Sequence, residues 1–194
     1  MSPWALFVAG LALTAVDWAP WTSRTLLRNV TKRVVIMVLG LAALFAVAPS
    51  YLIIGWRPVS LGVLVGGACL LFHVAIAGGV KLRRADVTPG MAKTAALIYL
   101  LELPAEEVLY RGLLFVSALP SWGLWPAVTV SSALFFGLHV KTWKDPAVWA
   151  GSAILAVICA LAVAGTGSLW TAVLIHDLND FGFITLVRRR NLFT

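Results

Sequence analysis

Eight side chains capable of proton transfer or charge pairing are grouped in the interiors and ends of three otherwise apolar stretches of the C-terminal half. They are Glu102, Glu106, Glu107 and Arg111 within 92–119, His139 near the end of 122–140, and His176, Asp177 and Asp180 within 168–187. A charged group at the centre of a membrane helix costs about 2.5–3.5 kcal/mol on insertion scales, and a purely structural bundle has no need of so many. Their spacing is helical. Glu107 and Arg111 stand at i,i+4 with the acid first, the better order for a pair, so Arg111 is expected to hold Glu107 rather than meet a substrate. Glu106 is turned about 100° around the axis from Glu107 and is free to face a cavity. Pro104 removes a backbone hydrogen bond just ahead of the pair and is expected to kink or widen the helix. Phe135 and His139 are four apart, as are His176 and Asp180. Glu102, four before Glu106, reads as a carboxyl at the mouth of the site, with tuning of Glu106 by its charge as the sharper alternative. His73, alone in its apolar run, reads as a packing histidine.

A carboxylate and an imidazole facing one another in a dry cavity can hold and deprotonate a water. A second imidazole can donate to the oxyanion of a tetrahedral intermediate. No serine stands at a fixed spacing from a base. Cys69 and Cys159 lie in apolar runs at no metal or redox spacing and read as small buried apolar residues. Water-activated amide hydrolysis is therefore the economical chemistry.

Three segments carry a resemblance. Ala-Glu-Glu-Val-Leu-Tyr-Arg-Gly (Ala105–Gly112) resembles the EExxxR motif of the CPBP family of intramembrane proteases, which includes CAAX prenyl endopeptidases of the Rce type and bacterial Abi or bacteriocin-immunity homologues. Phe-Phe-Gly-Leu-His (Phe135–His139) is similar to its FxxxH motif, and His-Asp-Leu-Asn-Asp (His176–Asp180) to its third, HxxxN or HxxxD. The three occur in order across the C-terminal half; the first three apolar runs carry no such signature. The resemblance implies a glutamic-type protease without a metal cofactor. In it Glu106 and His139 activate the water, His176 and Asp180 form the oxyanion side, and Glu107, Arg111, Asn179 and Phe135 support them. An ionised Asp180 cannot donate to an oxyanion. It is expected to orient His176, with protonation of Asp180 or donation by Asn179 as alternatives. Glu106, His139 and His176 also admit a zinc reading, although no HExxH motif supports it.

The elements that must position these groups follow from composition. The 194 residues are 61% hydrophobic and 12% charged, with a mean hydropathy of +0.94, against about 45–50% and about 25% in soluble domains. Disorder, a disulfide scaffold and a water-soluble globule are excluded. Seven apolar runs reach or approach the length of a membrane span: Pro3–Trp18, Val34–Ile54, Val59–Val80, Ala92–Leu119, Trp122–Val140, Ala147–Ala164 and Ser168–Val187. The first is short and ends near Asp17, but it lacks the basic region and cleavage site of a signal sequence. The expected fold is all-α, one polytopic transmembrane helical bundle over 1–194, with the catalytic motifs in 92–187.

The net charge of +7 would suggest nucleic acid in a soluble protein. Here Arg24, Arg28, Lys32, Arg33, Lys81, Arg83, Arg84, Lys93, Lys141, Lys144 and Arg188–Arg190 all fall on alternate connections, leaving only Arg57 opposite and Arg111 inside. That asymmetry marks topology, with the N-terminus outside and the C-terminus cytoplasmic. Trp18, Trp21, Trp56, Trp122, Trp125 and Trp143 cluster at span ends, as indoles do at the interface. Gly62 and Gly66 form a GxxxG read as close packing within the bundle.

One geometrical demand remains. Glu106 and His176 sit roughly 18–20 Å from the basic flanks at Lys93 and Arg188, whereas His139 is two residues from Lys141. For them to meet, the fifth span must continue past Lys141 or the fourth must begin before the membrane edge, in a site open to the cytoplasmic side. The functional expectation is an intramembrane endopeptidase acting on a membrane-associated peptide or protein in a prokaryotic inner membrane. Its competitors are a zinc hydrolase, a proton or ion pathway, and a toxin-binding immunity protein. The oligomeric state is left open.

Overall fold

The computed structural model describes residues 3–19 and 26–188, and the side chains of all of these except 26–28. Among them the chain forms seven helices and no strand. Helix α1 spans Pro3–Trp18, α2 Leu26–Val47 and α3 Trp56–Ile76. Helix α4 is a continuous run over 89–122 that changes its winding along its length. It is α-helical over Pro89–Leu97, Leu103–Glu107 and Val116–Trp122, and π-helical over Ile98–Glu102 and Val108–Phe115. Helix α5 spans Leu124–Thr142 and α6 Pro146–Thr166. Helix α7 runs over 169–188, with its last stretch, Phe181–Arg188, π-helical.

Local signals explain the ends. Thr88 caps α4 by accepting from the Met91 amide at 3.1 Å, ahead of Pro89 at the first helical position. Asp145 caps α6 from Ala147 at 3.0 Å, and Gly167 ends that helix in the left-handed region at φ +67°.

Residues 103–118 are buried without a break, which makes α4 the axial helix of the bundle. Helices α1, α2, α5, α6 and α7 pack around it, while α3 lies outside and runs along α7. The contact between α3 and α7 is made at glycines. A Cβ on Gly66 would meet the Leu174 carbonyl oxygen at 2.9 Å, and one on Gly182 would meet the Leu70 Cα at 2.8 Å. The GxxxG pair thus faces a neighbour within the same chain.

Each helix corresponds to one predicted span, but three are both long and apolar enough to cross a membrane: Asn29–Val47, Trp56–Ile76 and Pro146–Thr166. The predicted second span, Val34–Ile54, is displaced. The helix begins before Lys32 and Arg33, which turn inward onto acidic partners, and ends at Val47, followed by a 3-10 turn at Pro49–Leu52. Lys32 and Arg33 therefore do not stand on a solvated rim. Trp18 is also drawn inward, donating from Nε1 to the Tyr110 hydroxyl at 3.1 Å. Trp56 and Trp125 are exposed. Trp21, Arg24, Arg189 and Arg190, and the side chain of Arg28, lie outside the description.

Candidate active site

The helix that carries His139, α5, ends at Thr142, one residue past Lys141, and α4 begins at Pro89, three residues before the predicted span. Within α4 the two glutamates sit in the short α-helical turn Leu103–Glu107, between the two π-helical stretches. Pro104 has no N–H to give the preceding turn, and wide turns of this kind recur at functional sites. The turn sends Glu106 and Glu107 to different helices.

Glu106 faces α2. Its Oε1 accepts from Arg33 Nη2 at 2.7 Å, and the same nitrogen reaches Glu102 Oε1 at 3.2 Å. Arg33 Nη1 donates to Asp17 Oδ1 at 3.0 Å, where Lys32 Nζ also pairs at 2.9 Å. Asp17 Oδ2 accepts from the Tyr110 hydroxyl at 3.2 Å. Glu102 is thus joined to Glu106 through a shared guanidinium nitrogen.

Glu107 faces α7. Its Oε1 is 2.7 Å from His176 Nδ1 and its Oε2 is 3.3 Å from Arg111 Nε, with all three side chains buried. An ionised carboxylate only accepts, so Nδ1 of His176 donates. Arg111 Nη2 donates to the Ala156 carbonyl at 3.2 Å, and the guanidinium lies over the Phe135 ring at 4.3 Å. The expected i,i+4 pair is formed, and Glu107 has the further role of orienting His176. Asp180, expected to do so, lies with Oδ2 at 3.7 Å from His176 Nε2, beyond hydrogen-bond distance. Asn179 donates to Asp180 Oδ1 at 2.8 Å, and its own Oδ1 is 2.9 Å from His73 Nε2. His73, read as a packing residue, thereby anchors the last motif.

His139 lies between these two layers. Its ring is 4.3 Å from the Phe135 ring, which in turn meets the His176 ring at 5.6 Å. His139 Nδ1 is 3.0 Å from the Phe135 carbonyl oxygen. A carbonyl cannot donate, so Nδ1 carries the proton and Nε2 of the neutral ring holds the lone pair.

Two cavities meet at this histidine. One, of about 470 Å³, is lined by Asp17, Arg33, Glu102, Glu106, His139 and Lys141. The other, of about 520 Å³, is lined by His139, His176 and Asn179 together with apolar residues of α3 and α6, among them Leu64, Phe72 and Ile154. Glu106 and His139 thus share the polar chamber, and His139, His176 and Asp180 share the apolar one. Among the described residues no three His, Cys, Asp or Glu side chains converge as metal ligands would. Glu106, His139 and His176, the zinc alternative, are each turned to a different partner.

Asp17, Arg33 and Tyr110 are the site residues that sequence reasoning missed. A lone acid ending one apolar run and a base opening the next was the available signal. A family model described as Type II CAAX prenyl endopeptidase Rce1-like matches residues 88–182, the stretch that holds all three motifs. No curated protein and no solved structure matches the chain.

Proposed function

Starting from a chain whose residues 88–182 belong to the type II CAAX prenyl endopeptidase Rce1-like family, we propose that it is an intramembrane glutamic-type endopeptidase. It hydrolyses a peptide bond of a membrane-associated peptide or protein with a water activated by Glu106 and His139. The family is one of CAAX proteases, and the long apolar helices accord with an integral membrane protein.

The observation that carries this reading is that Glu106 and His139, from different helices, line one polar chamber. A water held between the carboxylate and the lone pair of His139 Nε2 gives its proton to Glu106 as its oxygen bonds the carbonyl carbon, and Glu106 returns that proton to the amine nitrogen as the C–N bond breaks. His176 faces the other side of His139, held through Nδ1 by Glu107. Its doubly protonated form, flanked by Glu107 and Asp180, donates from Nε2 to the oxyanion. Glu107 and Arg111 keep that imidazole in place, and Phe135 fixes the distance between the two histidines.

The proposal extends to a multi-pass arrangement in a prokaryotic inner membrane, N-terminus outside and C-terminus cytoplasmic. Contacts among the connections support the alternation of helix ends that this arrangement needs. Lys141 bonds the Trp18 carbonyl, the amides of Lys81 and Leu82 bond the Leu186 carbonyl, and Arg188 bonds Asp145, all at one end. Ser168 and Trp170 bond the Ile53 and Leu52 carbonyls at the other.

The test is comparative proteomics of membrane-protein termini in cells carrying wild-type or Glu106→Ala protein. At least one terminus is expected to depend on Glu106. Identical sets of termini in the two strains, with equal protein levels, would overturn the protease reading.

A further inference from the structure

The polar chamber contains a device that the matched segment lacks. Asp17 on α1 and Arg33 on α2 both lie outside residues 88–182, yet Arg33 makes the 2.7 Å contact to Glu106. Asp17 is fully buried and Arg33 is 9% exposed, where a charge is tolerated only when paired. Asp17 holds Nη1 of the guanidinium, and Nη2 is left to reach Glu106 and Glu102.

Only Oε1 of Glu106 is engaged; among the described residues Oε2 accepts no hydrogen bond, and it is not sealed off from the chamber. Among the described residues Asp17, Glu102 and Glu106 form ion pairs with Lys32 and Arg33, and Arg33 is the cation that contacts Glu106. A planar guanidinium anchored at one end and bonded at the other fixes the plane of a carboxylate as a single ammonium cannot.

We propose that Arg33, anchored by Asp17, is a positioning residue for the proposed hydrolysis: it occupies Oε1 of Glu106 and leaves Oε2 as the oxygen that takes the proton from the attacking water. This rests on the protease reading above. The first two helices then supply part of the reaction geometry in addition to their packing.

The experiment uses the full chain in proteoliposomes with an internally quenched peptide ending in a prenylated CAAX sequence. Cleavage by wild type and none by Glu106→Gln establishes the reading independently of Arg33. Arg33→Ala is then expected to lower kcat about 100-fold, as misplacement of a catalytic group by about an ångström does, with KM little changed because ground-state binding is untouched. Millimolar methylguanidinium, entering the chamber that Arg33 lines, restores part of kcat. Arg33→Lys retains an intermediate rate. If Arg33→Ala does not fold, Asp17→Asn replaces it, with the same expected loss of kcat.

A wild-type kcat in the folded variant, or a loss that appears only in KM, overturns the positioning role. Should wild type not cleave this peptide, infrared spectroscopy decides without turnover. The carboxylate band that Glu106→Gln removes is expected to shift in Arg33→Ala, and an unshifted band overturns the proposal.

Discussion

Glu107 is fully buried and answers two helices at once, pairing Arg111 on its own and His176 on α7. Replacing it with Gln leaves the guanidinium of Arg111 in a dry core without a counter-charge. Removing one partner of a buried ion pair costs about 3–5 kcal/mol, so Glu107→Gln is expected to lower the unfolding midpoint in detergent markedly as well as activity. Loss of activity with an unchanged midpoint would instead make Glu107 a reacting group. This arrangement was partly legible in the sequence. Adjacent residues on a helix diverge by about 100°, which separates the fates of Glu106 and Glu107, and the i,i+4 spacing gives Arg111 to Glu107. The partners of Glu106 were not legible. Arg33 lies 73 residues away in sequence, and a basic residue beside an apolar run fits the usual topology signal equally well whether it turns outward or inward. The orientation of His176 by Glu107 in preference to Asp180 was hidden for the same reason: local spacing favours partners on the same helix.

Seven apolar runs lead to seven helices, because a stretch without water must satisfy its backbone internally. Their winding is another matter. The π-helical stretches of α4 and α7 leave no mark in hydrophobic periodicity, and only Pro104 hinted at one of them. The helix ends are better determined, and Asp145 shows how they are used. It caps α6 and also accepts from Arg188 Nη2 at 2.7 Å, tying the end of α7 to the α5–α6 connection. Hydrogen bonding from Arg188 holds the Asp145 carboxyl below its ordinary value. A depressed native pKa stabilises the fold above the unfolded value, and that contribution fades as pH falls through the native one. Asp145→Asn keeps a competent cap and removes the charge. Its unfolding midpoint is expected to lie below that of wild type at neutral pH and to converge with it in acid, below the ordinary carboxylate range. A deficit that persists unchanged in acid would assign the effect to capping.

At the scale of the molecule, composition already pointed to an integral membrane protein, and the motifs to the family that residues 88–182 match. Charge counting gives an orientation that labelling can test. In a background with Cys69 and Cys159 replaced by Ala, Lys144→Cys is expected to react with an impermeant maleimide in inverted vesicles, and Arg57→Cys in intact spheroplasts. Labelling of both from one side would overturn the alternating topology. What composition could not give is the division of the interior, since chambers arise where helices fail to touch. Here α3 and α6 both border α7, and the space they leave opens onto His139. His139, together with Trp143, thus stands between an oily compartment and a polar one. On the proposed reading, a substrate that lies across that wall meets apolar side chains of α3 and α6 on one side of the water-activating histidine and charged ones on the other. The two linings together then set which bond of the chain stands over Glu106.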